Sequence, residues 1–117
     1  MANDATPAGA NLMLDALVSP LKVKLHTASP TDAGTAANSV QYPTPASVAF
    51  GAAASGQRVN TAAGTWATSA GAETVTHVSI WNTAATVCVF QGPLSAPVPT
   101  NAEPFQIDIG ALVLALT

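Results

Sequence analysis

From Leu21 onward the apolar residues of this chain fall on every second position, in short runs closed by glycine or proline. Leu21, Val23 and Leu25 alternate with Lys22, Lys24 and His26. Ala46, Val48 and Phe50 share one face of the next run. Between 74 and 82, Thr76, Val78 and Ile80 fall on one side, with Val75, His77, Ser79 and Trp81 on the other. Phe105, Ile107 and Ile109 alternate with Gln106 and Asp108, and Leu112, Leu114 and Leu116 follow Gly110. A period of two belongs to half-buried strands, and an apolar side that changes at every residue cannot form one face of a helix. Residues 57–61 and 65–69 read as weaker strands. Residues 86–90 read as the return strand of a hairpin that turns at 82–85, and Gly92-Pro93 closes it. Pro97 and Pro99 then stiffen a connection, and 27–39 is a loop carrying Pro30, Asp32 and Gly34. Short strands recurring every 8–12 residues or so, with turn residues between them, predict an all-β fold: an antiparallel β-sandwich or small jelly roll.

The first twenty or so residues read differently, as an arm and a short helix. Met1 to Ala10 is small and polar. Asn11 is placed to cap a helix over 11–18, with Leu14, Leu17 and Val18 on one face, and Ser19-Pro20 ends it. The expected division is residues 1–20 as arm and helix and 21–117 as a single sandwich domain, since 117 residues supply one core. No secretory signal is expected. Met1 to Gly9 has no basic residue, and the apolar stretch from Leu12 to Val18 is short and broken by Asp15.

Composition narrows the function. Charged residues are 8% of the chain, against about a quarter in an ordinary soluble domain. Lys and Arg together number 3, too few to neutralise a phosphate backbone or to hold a basic helix on a membrane surface. Neither nucleic acid nor membrane is expected as a partner. A chain so poorly charged, with 49% hydrophobic residues, is suited to a surface largely covered by neighbours. Lys22, Lys24 and Arg58 are expected at the polar rim of such a contact.

Candidate chemistry is sparse. His26 and His77 have no second ligand or carboxylate at a metal or catalytic spacing, so each is read as structural, bonding a loop carbonyl at a strand end. Cys88, between Val87 and Val89, reads as a small buried hydrophobe. No serine stands in a nucleophile motif and no glycine pattern cradles a phosphate. Accordingly no enzyme activity, cofactor or metal is expected. Tyr42, Trp66 and Trp81 are candidates for a subunit interface or a sugar-stacking platform, weighed against core packing. Leu12, Leu14 and Leu17 are candidate anchors in a neighbour's groove, weighed against covering the end of their own sandwich.

The stretch Leu25-His26-Thr27-Ala28-Ser29-Pro30, continuing to Asn38-Ser39-Val40, resembles the LHTADPG opening of a family of small tailed-phage virion proteins. Val75-Thr76-His77-Val78-Ser79-Ile80-Trp81 is similar to that family's VTHxGIW strand. Phe90-Gln91-Gly92-Pro93-Leu94 and Gly110-Ala111-Leu112-Val113-Leu114 match its FxGxL and GxLxL steps in order. Ser29, Thr31 and Ser79 depart from the pattern, as does Tyr42-Pro43-Thr44 where Tyr-x-Arg is usual. Such proteins, many from phages of actinobacteria, are head-decoration, minor-tail or tail-fibre components. The resemblance implies a β-rich virion module without catalysis, made in the host cytoplasm and self-associating, with a trimer as the expected order. A short chain without shaft, coiled coil or repeats favours a capsid decoration protein on the head surface, bound between copies of the major capsid protein. The alternative is a minor tail or tail-fibre protein at the tail tip, with host-glycan adhesion as an added role.

Overall fold

A computed structural model of the chain describes residues 5–116. Its elements, in chain order, are α1 (Pro7–Asp15), β1 (Leu21–His26), β2 (Ala46–Val48), β3 (Gln57–Val59), β4 (Gly64–Trp66), β5 (Ala72–Trp81), β6 (Cys88–Asn101), β7 (Phe105–Ile107) and β8 (Val113–Ala115). Every pairing is antiparallel. A four-stranded sheet runs β2-β1-β5-β6, and two ribbons, β3-β8 and β4-β7, form separate pairs. The result is the all-β sandwich expected from the period-two runs. The second half is nested: β5 returns as β6, β4 pairs with β7 outside that hairpin, and β3 pairs with β8 outside both. The side chains of Leu21, Val23, Leu25, Val48, Phe50, Ile107, Leu112 and Leu114 meet in one core.

Three local differences from the sequence reading have physical causes. The helix begins at Pro7 instead of Asn11. Thr6 is its N-cap, its hydroxyl accepting from the Gly9 amide at 3.1 Å, and Pro7 takes the first turn, where a missing N–H costs nothing. The expected arm is therefore mostly helix from residue 7; Met1 to Asp4 lie outside the described residues. Because the helix ends at Asp15, Ala10 and Leu14 face the core with Leu17 packed at its edge, while Val18 leaves the face and is 73% exposed.

The second difference is in β5. Its register shifts between Val75 and His77, so Val75 joins Val78 and Ile80 in the core instead of lying on the opposite side. The third is β6, which does not stop at Gly92-Pro93 but continues to Asn101. β6 has a partner on one side only, and proline is tolerated at such an edge because its absent donor is not needed. Pro93 faces His77 and Val98 faces Val75, so residues 94–97 bulge opposite Thr76 alone. Prolines at 93, 97 and 99 also deny an incoming strand its donors, which protects a long edge from indiscriminate pairing.

Buried polar side chains tie the layers together. Arg58, only 6% exposed, donates from Nε to the Gly51 carbonyl (2.7 Å) and from one terminal nitrogen to the carbonyls of Leu14 (2.7 Å) and Leu17 (2.6 Å). It closes the C-terminal end of α1 onto β3, and the expected place for it at a polar rim is corrected to the interior. Asn60 donates to the carbonyls of Ala62 and Asp108 and accepts from the Leu112 amide. The Arg58→Ala variant is expected to lose about 3 kcal/mol, since it strands buried carbonyls that now accept from a cation. Urea unfolding would read this as a lower midpoint at unchanged slope. Arg58→Lys should recover little, because one ammonium cannot span carbonyls on opposite sides of the guanidinium.

Candidate functional site

The aromatic candidates are inside. Tyr42 is 3% exposed, and Trp66 and Trp81 are each 6% exposed. Tyr42 and Trp66 both pack on Phe105, with ring centroids 5.7 and 5.6 Å apart, and the Tyr42 hydroxyl donates to the Glu103 carbonyl at 2.7 Å. The Trp66 indole N–H is buried without an acceptor. Trp81 lies on the other side of the sheet. Its Nε1 donates to the Ser79 hydroxyl at 2.8 Å, and the Lys24 ammonium sits 4.1 Å from its ring centroid. None of these rings offers the open face that sugar stacking needs: Tyr42 and Trp66 pack in the core, as the favoured reading had it, and Trp81 is enclosed on the outer side of the sheet. Leu14 is 1% exposed and belongs to the core, and Leu17 is half-buried at its edge. Leu12 is 77% exposed beside Met13 at 57%, and of the leucine candidates it is the one presented outward.

The histidines serve the fold. His26 is fully buried. Its Nδ1 lies 3.0 Å from the Ala36 carbonyl, which can only accept, so the proton is on Nδ1 and Nε2 accepts from the Ser79 hydroxyl at 2.7 Å. Burial holds its pKa below the ordinary histidine value, and the Ala36 and Ala37 backbone contacts offset this only in part. His77, its cross-strand neighbour, bonds its own neighbour Thr76 at 2.8 Å. Cys88 is half-buried at the start of β6, and burial raises its thiol pKa, the opposite of an activated nucleophile. Among the described residues no group of His, Cys, Asp or Glu is placed to hold a metal ion, and no helix is long and apolar enough to cross a membrane.

What the surface does offer is an open apolar groove of about 430 Å³ between β6 and the ribbons that carry β7 and β8. Phe90, Leu94, Val98, Ile107 and Leu112 line it. Its charged residue is Asp108, whose carboxylate accepts from Gln106 at 2.9 Å. Apolar side chains are also presented elsewhere: Val18 and Val87, Ile109 at 67% exposure, and the cross-strand pair Val59 and Val113. Surfaces of this chemistry exclude water when they are covered by another protein.

The chain matches the family described as Podophage GP4 fiber I protein gp80 over residues 6–115. It belongs to that family. A search of curated proteins found no match. The chain is thus a phage virion structural protein of a fibre family, associated with other virion components. The match reaches from α1 through β8, so the helix is as much part of the family's unit as the strands.

The residues that the sequence left unmarked are the polar ones that hold loops. Glu73 accepts from the Ser39 hydroxyl and from the amides of Val40 (2.9 Å) and Gln41 (3.1 Å). Asn60 gave no signal at all, since its partners lie far along the chain. With both tryptophans enclosed, acrylamide should quench the native emission several-fold less than the emission in denaturant, and titration with host cell-wall glycans should leave it flat. A quenching slope equal in the two states would contradict the burial of both rings.

Proposed function

We propose that this protein is a compact structural module of a phage tail-fibre assembly, joined to its neighbours by apolar surface and not acting as a catalyst. The family match across residues 6–115 carries this reading. It favours the tail-fibre alternative over the capsid decoration role that a short chain without a shaft suggests. The shape adds a restriction. The described residues measure 45 × 30 × 26 Å, a compact shape that suits a knob, collar or adaptor in a fibre. The functional unit is the sandwich of residues 21–117, with the C-terminal end of α1 clamped to it through Arg58. A homotrimer is the proposed order, and tail proteins are the proposed partners.

Copy number tests the location. Quantitative mass spectrometry of purified virions should find a small multiple of the fibre count, with immunogold label at the tail. Hundreds of copies spread over the head would return the protein to capsid decoration. The docking surface has its own test. Leu12→Asp and Met13→Asp change exposed side chains, so stability should hold within about 0.5 kcal/mol. Incorporation into virions should fall several-fold. Normal incorporation of both variants would remove this face of α1 from the interface.

A further inference from the structure

The two layers of the sandwich are unequal. The main sheet has four strands, while the ribbon pairs facing it are two strands wide. β4-β7 and β3-β8 lie in line, with residues 57–66 along one side of the ribbon and 105–115 along the other. Gly64 sits so close to Val48 that a Cβ there would meet its methyl at 3.1 Å, so β4 lies over β2. β2 is the edge of the main sheet farthest from β6. Among the described residues no strand continues the ribbon past β7 and β8, and β6 has no strand facing it. The apolar groove is the gap that results. Phe90, Gly92 and Val98 line it from the core side of β6, where they pair with Ile80, Val78 and Val75. A Cβ on Gly92 would meet nothing within 4 Å, although the position looks toward the core.

The free edge of the ribbon has hydrogen bonds to offer. The Asn60 amide donates to the Leu112 carbonyl and the Leu116 amide to the Gly56 carbonyl, each at 3.3 Å. In an antiparallel pair, residues that bond the partner alternate with residues that point away. Leu112, Leu114 and Leu116 therefore turn their backbone groups to β3, and Val113 and Ala115 turn theirs to the open side. Among the described residues neither finds a backbone partner there. Residues 110–116 contain no proline and no charge, whereas the facing edge of β6 is guarded by Pro93, Pro97 and Pro99.

We propose that the groove seats an added strand: an extended segment of another virion protein pairs with the free edge of β8, lies over β6 and completes the smaller layer. The proposal rests on the reading of the chain as a fibre component. A row of free backbone donors and acceptors is matched by an extended chain, and the pockets beside it select alternate side chains. The segment is therefore apolar at every second position and bulkiest where it passes Gly92. The charged residue of the groove is Asp108, so a basic side chain fits beside it. A second copy of this chain is a poor donor. β6 reaches past the β8 edge, so pairing two β8 edges about a twofold axis would drive two β6 strands into the same space. Of its other edges, β2 is three residues long and lies under β4, and β6 lacks the amides that its prolines replace.

The test begins with the isolated chain. The Val113 and Ala115 amides should exchange with solvent at once, and those of Leu114 and Leu116 slowly. Slow exchange at all four would mean that the edge is already covered and would overturn the proposal. Gly92 is not at positive φ, so Gly92→Leu places its side chain in open space and the urea midpoint should hold or rise. Val113→Pro removes an amide that bonds nothing. Each variant should cut incorporation into virions at least tenfold. A diazirine amino acid placed at Ser95 or at Ala111, exposed on the two walls of the groove, should crosslink in purified virions. Both should reach the same short stretch of one other virion protein. Links to a second copy of this chain, no links at all, or normal incorporation of Gly92→Leu would each overturn the added strand. If Val113→Pro does not fold, Gly92→Leu and the crosslinks decide by themselves. A head location for the protein would overturn the fibre reading alone, since the same links would then name a strand from a head protein.

Discussion

Backbone groups in the long connections of this protein must be paired, and the chain has few charged side chains with which to pair them. That constraint organises the structure. Arg58 takes the carbonyls at the end of α1, Asn60 ties the turn at 108–112 to the end of β3, Glu73 gathers the amides of 40 and 41, and His26 holds the loop at 36. Each reaches across a large interval of sequence and fixes one irregular segment to a strand. The strands themselves are short, and β2, β3, β4, β7 and β8 would not persist as isolated pairs. They are held because the segments between them are pinned.

This changes the meaning of the low charge. Scarcity of charge suits a chain whose surface is covered by neighbours. Yet of the charges it has, Arg58 is committed to the interior, Glu73 to a loop and Lys24 to an aromatic ring. Outward surface is therefore even less charged than composition suggests. The groove beside β6, the exposed leucine and methionine of α1 and the valines on the β3-β8 ribbon are what remains for neighbours. Proline along β6 then has a second value. It keeps the long free edge from pairing at random while leaving the apolar groove beside it open.

Much of the fold was legible. β1 was bounded correctly because its apolar and polar residues alternate without interruption and Ser19-Pro20 and the 27–39 loop close it. The weaker strand expected at 57–61 is present as 57–59, and the one expected at 65–69 is displaced to 64–66. Misreadings came where a tertiary partner overrode a local rule. Pro93, Pro97 and Pro99 stop a central strand but not an edge, and nothing local says which strand is the edge. The β5 register shift is invisible in residue types, since either phase buries valine or isoleucine. The helix start was legible in principle from Thr6-Pro7, a cap followed by proline, and Asn11 concealed it by looking like a cap itself. For the site, Leu12, a candidate anchor in the sequence, is exposed in the structure. The enclosure of Tyr42, Trp66 and Trp81 was not legible, because an aromatic residue on a strand has the same sequence signature whether its face is covered by its own chain or by a neighbour.

By itself the sequence determined an all-β chain, its scarcity of charge, and a kinship with virion proteins. These depend on periodicity, composition and the order of short motifs, and all of them are local or additive along the chain. Only the tertiary structure decided which polar residues are buried, which strand is the edge, and which aromatics are enclosed. Those depend on what lies opposite each residue. Ser79 beneath His26, the helix end beside Arg58 and the turn below Asn60 are brought together by folding from far apart in the chain, at distances no sequence window spans.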